Sequence, residues 1–205
     1  MQMSELEKQI YCALAEMEII DAHEHLGPEK NRLNTAVDVF TLFSHYTKGD
    51  LLVAGMSEEE YKKLFDHSIP LDERWKLFSP YWEHIRWGSY AKAAILAARR
   101  FYEVDDINNK TYGVLSERIQ KANTPGIYDR VLRQACRIRT ALTQCGSTEL
   151  GNTPLLTPVM PMVYGMETGE DLMQPKFAPQ AKINSLDDYI DAMKSYVMQV
   201  KQEGA

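Results

Sequence analysis

Cysteine is scarce: 205 residues hold three, Cys12, Cys136 and Cys145, an odd number without a C-x-x-C pair. That spacing excludes a disulfide framework and a thiolate zinc site and leaves reduced, structural thiols. Long apolar runs are also missing, since nothing approaches the roughly 18 residues of a membrane span. The start, Met-Gln-Met-Ser-Glu-Leu-Glu-Lys, lacks the basic beginning and apolar core of a secretion signal. A cytoplasmic protein with no membrane partner is the expectation. Basic residues are outnumbered, 23 against 29 acidic, and they are scattered along the chain. Nucleic acid is therefore excluded as a partner, because a phosphate backbone needs a concentrated basic face. Repeats, low-complexity tracts and Gly- or Ser-rich linkers are absent too.

What is present is an ordinary folded composition, 44% hydrophobic and 25% charged, enough for a substantial core. Ser4 and Glu7 form a capping box ahead of a helix with Leu6, Ile10, Ala13, Leu14 and Met17 on one face. Glu18 to His23 reads as a strand, and the Ile19-Ile20 pair predicts burial on both sides, as in a parallel sheet covered by helices. No convincing strand follows until residue 138. Helices are predicted from Thr35 to about Tyr46, after Ser57, from Asp72 with a kink or break at Pro80, from Ser89 to Tyr102, and after the Thr124-Pro125 start signal. Two further strands fit residues 138–144 and 155–163, the latter interrupted by Pro158 and Pro161. Ser185 then caps a helix with Leu186, Ile190, Met193, Val197 and Val200 on one face, running to Gly204. Residues 145–153 and 165–182 are the least regular.

One stretch carries chemistry: Ile19-Ile-Asp-Ala-His-Glu-His-Leu-Gly-Pro-Glu29. Alternation on a strand puts His23 and His25 on one face with Asp21 and Ile19, and Ala22 and Glu24 on the other. Imidazoles about 7 Å apart at their α-carbons can converge on one divalent ion, zinc by preference. Such an ion lowers the pKa of bound water and polarises a carbonyl. Asp21 lies one step deeper and is suited to orienting the ligands rather than to coordination. A structural, hydrogen-bonded role for the histidines is the bland alternative.

The motif Asp21-Ala-His-Glu-His-Leu26, at the end of a first strand, resembles the amidohydrolase superfamily. The long helical stretch behind it is similar to the uronate isomerase branch, as are His45-Tyr46-Thr-Lys48, residues 51–55, the aromatic block up to Tyr90 and Arg99-Arg-Phe-Tyr102. The resemblance implies an α/β fold, the N-terminal part of a (β/α)8 TIM barrel with a large helical insertion after strand 1. Its segments would be residues 1–25 (helix and first strand), 26–136 (insertion) and 137–205 (strands 2 and 3 with the following helix). It further implies a metal-activated water, a catalytic Asp from the last strand, and His45 and Tyr46 as substrate contacts. Only three of eight strands can be placed. The expectation is thus an N-terminal portion of a longer enzyme, with the Asp and the remaining ligands beyond Ala205, whose open edges make it aggregate or form a homo-oligomer when alone.

Arg86, beside the aromatics, has the chemistry to clamp a substrate carboxylate, although an ion pair with Glu83 is the simpler account. His67 and His84 lack partners at metal spacing and read as surface or packing residues. The aromatic block from Trp75 to Tyr90 reads as core before it reads as a pocket wall. The leading function is a metal-dependent hydrolase acting on a small polar, carboxylated substrate. An aldose/ketose isomerase on the same scaffold is the near alternative, and a noncatalytic helical interaction module the distant one.

Overall fold

The structure, a computed structural model, describes residues 3–144, 150, 154–159 and 180–202. It is an α/β chain that divides into two compact units, residues 1–32 with 126–205, and residues 33–125.

The first unit holds a three-stranded parallel sheet in the order β1 (Ile19–Glu24), β2 (Ile138–Thr143), β3 (Leu156–Pro158). The sheet is not closed among the described residues, and the remainder of the third predicted strand, residues 160–163, lies outside them. Helix α1 (Glu5–Glu16) begins at the predicted capping box: Ser4 Oγ accepts from Glu7 N, and Ser4 N donates to the Glu7 carboxylate at 2.7 Å. The last helix, Leu186–Gln202, starts behind Ser185, whose hydroxyl accepts from Asp188 N at 3.2 Å; Gly204 lies outside the described residues.

Burial on this sheet is uneven, which corrects one expectation. Ile138, Ala141, Thr143, Leu155 and Leu156 are buried, whereas Ile19 and Ile20 stay 47% and 51% exposed. Strand β1 is an edge strand, and α1 buries none of its residues, so the two-sided cover that an Ile-Ile pair anticipates is missing among the described residues.

In sequence, the segment between β1 and β2 is helical and contains no strand among the described residues. It begins with α2 (Glu29–Leu33) and continues in the second unit with α3 (Thr47–Val53), α4 (Glu58–Lys63), α5 (Leu71–Ile85), α6 (Ser89–Tyr102) and α7 (Tyr112–Ala122). The compact helical unit comprises residues 33–125 of that segment. Residues on either side of it are bound to the sheet unit: the Glu29 carboxylate accepts from Gly126 N and Tyr128 N, both at 2.8 Å, and Tyr128 Oη donates to the Gly27 carbonyl. Glu29 thereby serves as the acceptor at the start of the next helical turn, the place expected for Thr124. That stretch is a π-helix over Asp129–Ala135.

One further expectation is corrected in the helical unit. Residues 35–46 do not form one helix. Asp38 accepts from Phe40 N, and its own N–H reaches Thr41 Oγ1, starting a short 3-10 turn over Val39–Phe43. A local side-chain bond of this kind competes with regular helix, and His45, at φ 66°, ends the segment before α3. Helix α5, in contrast, runs through Pro80 unbroken. Trp75, Phe78, Trp82 and Ile85 bury along it, and that packing outweighs the roughly 3 kcal/mol that an interior proline costs.

Most of the aromatic block is therefore core. Phe78 lies 4.7 Å from Phe43 and 5.8 Å from Trp82 between ring centroids. The indole N–H groups are satisfied, Trp82 on the Ile107 carbonyl at 2.8 Å and Trp75 on Asn109 Oδ1 at 2.6 Å. Within this core sits a charge pair, Arg74 Nη1 to Asp38 Oδ2 at 2.7 Å, with the side chains 5% and 3% exposed. Arg74 also donates to the Ile69 and Leu64 carbonyls, and His67 Nδ1 approaches Asp38 at 3.6 Å.

Truncating one partner leaves the other charge buried. Arg74→Met is expected to lower unfolding free energy by about 3–5 kcal/mol in urea titration; a loss below about 1 kcal/mol, the range of a surface pair, would contradict this role.

Candidate metal centre

Strand β1 ends at Glu24 and the chain turns through Leu26, Gly27 and Pro28. The turn is held at several points. Gln144 N donates to the Glu24 carbonyl at 2.7 Å, the buried Thr143 hydroxyl donates to the Leu26 carbonyl at 2.8 Å, and Tyr128 holds Gly27. His23 and His25 project from this framed strand end, both exposed.

Their rings lie on the same side, with centroids 5.0 Å apart and planes at 87°. Two imidazoles bound to one tetrahedral ion at about 2.0–2.1 Å would place their centroids on the order of 5 Å apart. The spacing fits. His25 Nδ1 stands 3.2 Å from the Gln144 carbonyl. A carbonyl only accepts, so Nδ1 carries the proton in this contact and the neutral ring's lone pair is on Nε2. Anchoring one ring nitrogen on a backbone oxygen is how metal-binding histidines are commonly oriented. Two nitrogen donors suit zinc but do not complete its usual set of three protein ligands and water. Among the described residues, no group of three or more His, Cys, Asp and Glu side chains is placed to hold an ion.

Asp21 is close by, but it serves the backbone: its Oδ1 accepts from His23 N at 3.3 Å. Glu24 is where strict alternation fails. The β1–β2 register is irregular between Asp21 and Glu24, and Glu24 is brought within hydrogen-bonding influence of the Asp21 carboxylate instead of facing away from it. Burial, then the hydrogen bond and charge of Asp21, push the Glu24 carboxyl above its ordinary value. The motif itself could have flagged Glu24 as a second acid near the histidines, but only the bulge brings it there.

The other sequence-derived candidates belong to the helical unit. His45 and Tyr46 do meet each other, edge to face at 4.2 Å, and Tyr46 stacks on Tyr90 at 5.2 Å with planes 12° apart. Both tyrosines keep roughly half their surface, 54% and 44% exposed. Arg86 makes the anticipated contact with Glu83 through Nη1 at 3.2 Å, and its Nη2 donates to both oxygens of Asp106 at 3.0 and 2.9 Å. Burial alone would raise Asp106, but hydrogen bonds from Asn108 and Arg86 carry its carboxyl below the ordinary range. The two terminal nitrogens of Arg86 are thus engaged by the carboxylates of Glu83 and Asp106, while its buried Nε has no hydrogen-bond partner among the described residues; Asp106, twenty positions away, carried no signal in the sequence.

Of the cysteines, Cys12 and Cys136 are free thiols and Cys145 lies outside the described residues. Among the described residues no helix is long and apolar enough to cross a membrane. No family model matches this chain, and no curated protein matches it.

The native state holds the Glu24 proton more tightly than the unfolded chain does. Stability should therefore fall as pH rises from 4.5, its ordinary value, through the native value. Glu24→Gln is expected to flatten that decline, measured with chelator present as the urea midpoint against pH; an identical slope in parent and variant would remove the carboxyl pair from the account.

Proposed function

We propose that this chain contributes to a metal-dependent hydrolase of the amidohydrolase type, with His23 and His25 holding a divalent ion, zinc by preference, against a small polar, carboxylated substrate. The observation that carries the reading is the pair of same-side imidazoles 5.0 Å apart, one of them anchored through Nδ1 on a backbone carbonyl. The ion, when bound, would activate water for attack on a carbonyl. The protein's own part is orientation: the Gln144 carbonyl fixes the His25 tautomer, Asp21 holds the His23 backbone, and the raised Glu24 carboxyl supplies an acid beside the pair. Placement at the C-terminal end of a parallel strand supports the reading, since active sites of parallel barrels are built at that end. A (β/α)8 barrel is the fold that this proposal extends from the three parallel strands.

A second reading, an aldose/ketose isomerase, is favoured by the long helical segment that follows the His-x-His motif in sequence. His45 and Tyr46 would contact a sugar acid through the exposed Tyr46–Tyr90 stack. A noncatalytic helical module is the reading left if no metal binds.

Elemental analysis of the full-length protein, with and without His23→Ala/His25→Ala, tests the centre. Bound divalent metal should fall by at least about tenfold in the variant. Unchanged metal content would sink the ligand assignment. A panel of small carboxylated amides and esters, with glucuronate as the isomerase arm, then separates hydrolysis from aldose-to-ketose conversion.

A further inference from the structure

The opposite end of the sheet carries a different chemistry. A cleft of about 350 Å³ opens there, lined by Glu18, Arg133, Arg137, Ile138, Arg139 and Pro154. Three arginines and one acidic residue thus line one cleft, in a chain whose formal net charge is −6. The geometry points to an oxyanion-binding site in this cleft, fitted to a phosphate group.

The backbone that assembles the arginines is unusual in two ways. Arg133 is on the π-helix Asp129–Ala135, a rare conformation that recurs at functional sites. Arg137 has φ 59°, a left-handed conformation that costs a non-glycine residue on the order of 1 kcal/mol or more. It is held there because its N–H donates to the Arg133 carbonyl at 3.0 Å and its carbonyl accepts from Ile19 N at 2.9 Å. The left-handed residue turns the chain directly from the π-helix into β2. Arg139 follows two positions later on the strand, while Ile138 between them is buried.

The charges in the cleft are only weakly offset. Arg137 donates from Nη1 to the Ala15 carbonyl at 2.7 Å and from Nη2 to the Glu16 carbonyl, and these neutral acceptors leave its charge uncancelled. Arg139 comes no nearer than 3.7 Å to Glu18, too long for a direct hydrogen bond, and both side chains are more than half exposed. Arg133 lies 3.4 Å from Asp129, again in solvent. Solvated pairs of this kind are readily exchanged for a tighter acceptor. A phosphate offers several oxygens to planar forks that bind it in bidentate fashion, which lysines would not do.

Inorganic phosphate titrated calorimetrically into the full chain, with chelator present, is the test. Saturable binding is expected, weakened about tenfold by Arg139→Ala and again by Arg133→Ala. Arg139→Lys, which keeps the charge without the fork, should recover only part of the loss. Both side chains are exposed, so melting temperatures should stay near the parent's; Arg137 is left intact because it also fastens α1. His23→Ala/His25→Ala should bind phosphate as the parent does, which separates this cleft from the proposed metal centre. Phenyl phosphate as a second titrant distinguishes sources: tighter binding than inorganic phosphate assigns a phosphorylated small molecule, equal binding assigns the free ion. Heat that rises without saturation, or parental affinity in the Arg133→Ala/Arg139→Ala double variant, would overturn the site.

Discussion

Backbone pairing between β1 and β2 runs from Ile19 N on the Arg137 carbonyl to Gln144 N on the Glu24 carbonyl, joining segments more than a hundred residues apart. A parallel pair cannot be closed by a hairpin and needs a crossover, so some long segment must separate the strands. Closure entropy grows only slowly with loop length, each doubling adding about 0.6 kcal/mol. A compact helical unit of residues 33–125 is therefore a tolerable crossover, provided its two ends are brought together. Glu29 does this by accepting from Gly126 and Tyr128 on the returning chain. One carboxylate joins the exit from β1 to the approach to β2.

The helical unit solves a separate problem. Its aromatic core is dense enough to carry a buried Asp38–Arg74 pair, each charge saturated by neighbours: Phe40 N on the aspartate, the Ile69 and Leu64 carbonyls on the arginine. Ion pairs so placed seldom add net stability over hydrophobic replacements of the same volume, because desolvation offsets their attraction. Their effect is specification. Asp38 can satisfy Phe40 and Arg74 at once only if the 3-10 turn over Val39–Phe43 meets α5 in one arrangement.

Features encoded within a few residues were legible in the sequence. The capping boxes at Ser4 and Ser57, the helix start at Ser89 and the cap at Ser185 are local, and so is the His-x-His spacing. Features made by partners far away were not. The cap at Gly126 comes from Glu29, 97 positions back, and Asp106 reaches Arg86 from the far side of α6 in sequence. At Pro80 the local cost is real, but a buried row of Trp and Phe outweighs it and α5 is not broken there. Ile19 and Ile20 misled because hydrophobicity records a demand for cover, and no described element meets it.

The irregular register of β1 bears on both ends of the strand. A regular strand would keep Asp21, His23 and His25 on one face and send Glu24 to the other, and a one-residue slip would exchange the sets entirely. The shifts between Ile19 and Ile20 and between Asp21 and Glu24 do neither. They keep the imidazoles together while drawing Glu24 toward Asp21, so that an acid with a raised pKa and two imidazoles share one strand end. At the other end, Arg137 meets Ile19 in a left-handed conformation that its bonds to Ile19 and to the Arg133 carbonyl sustain. Bulges re-aim side chains where a ladder would otherwise fix them. Here the same strand pair sets carboxyl and imidazole groups at one end and guanidinium groups at the other, two electrostatic environments that β1 separates by its own length.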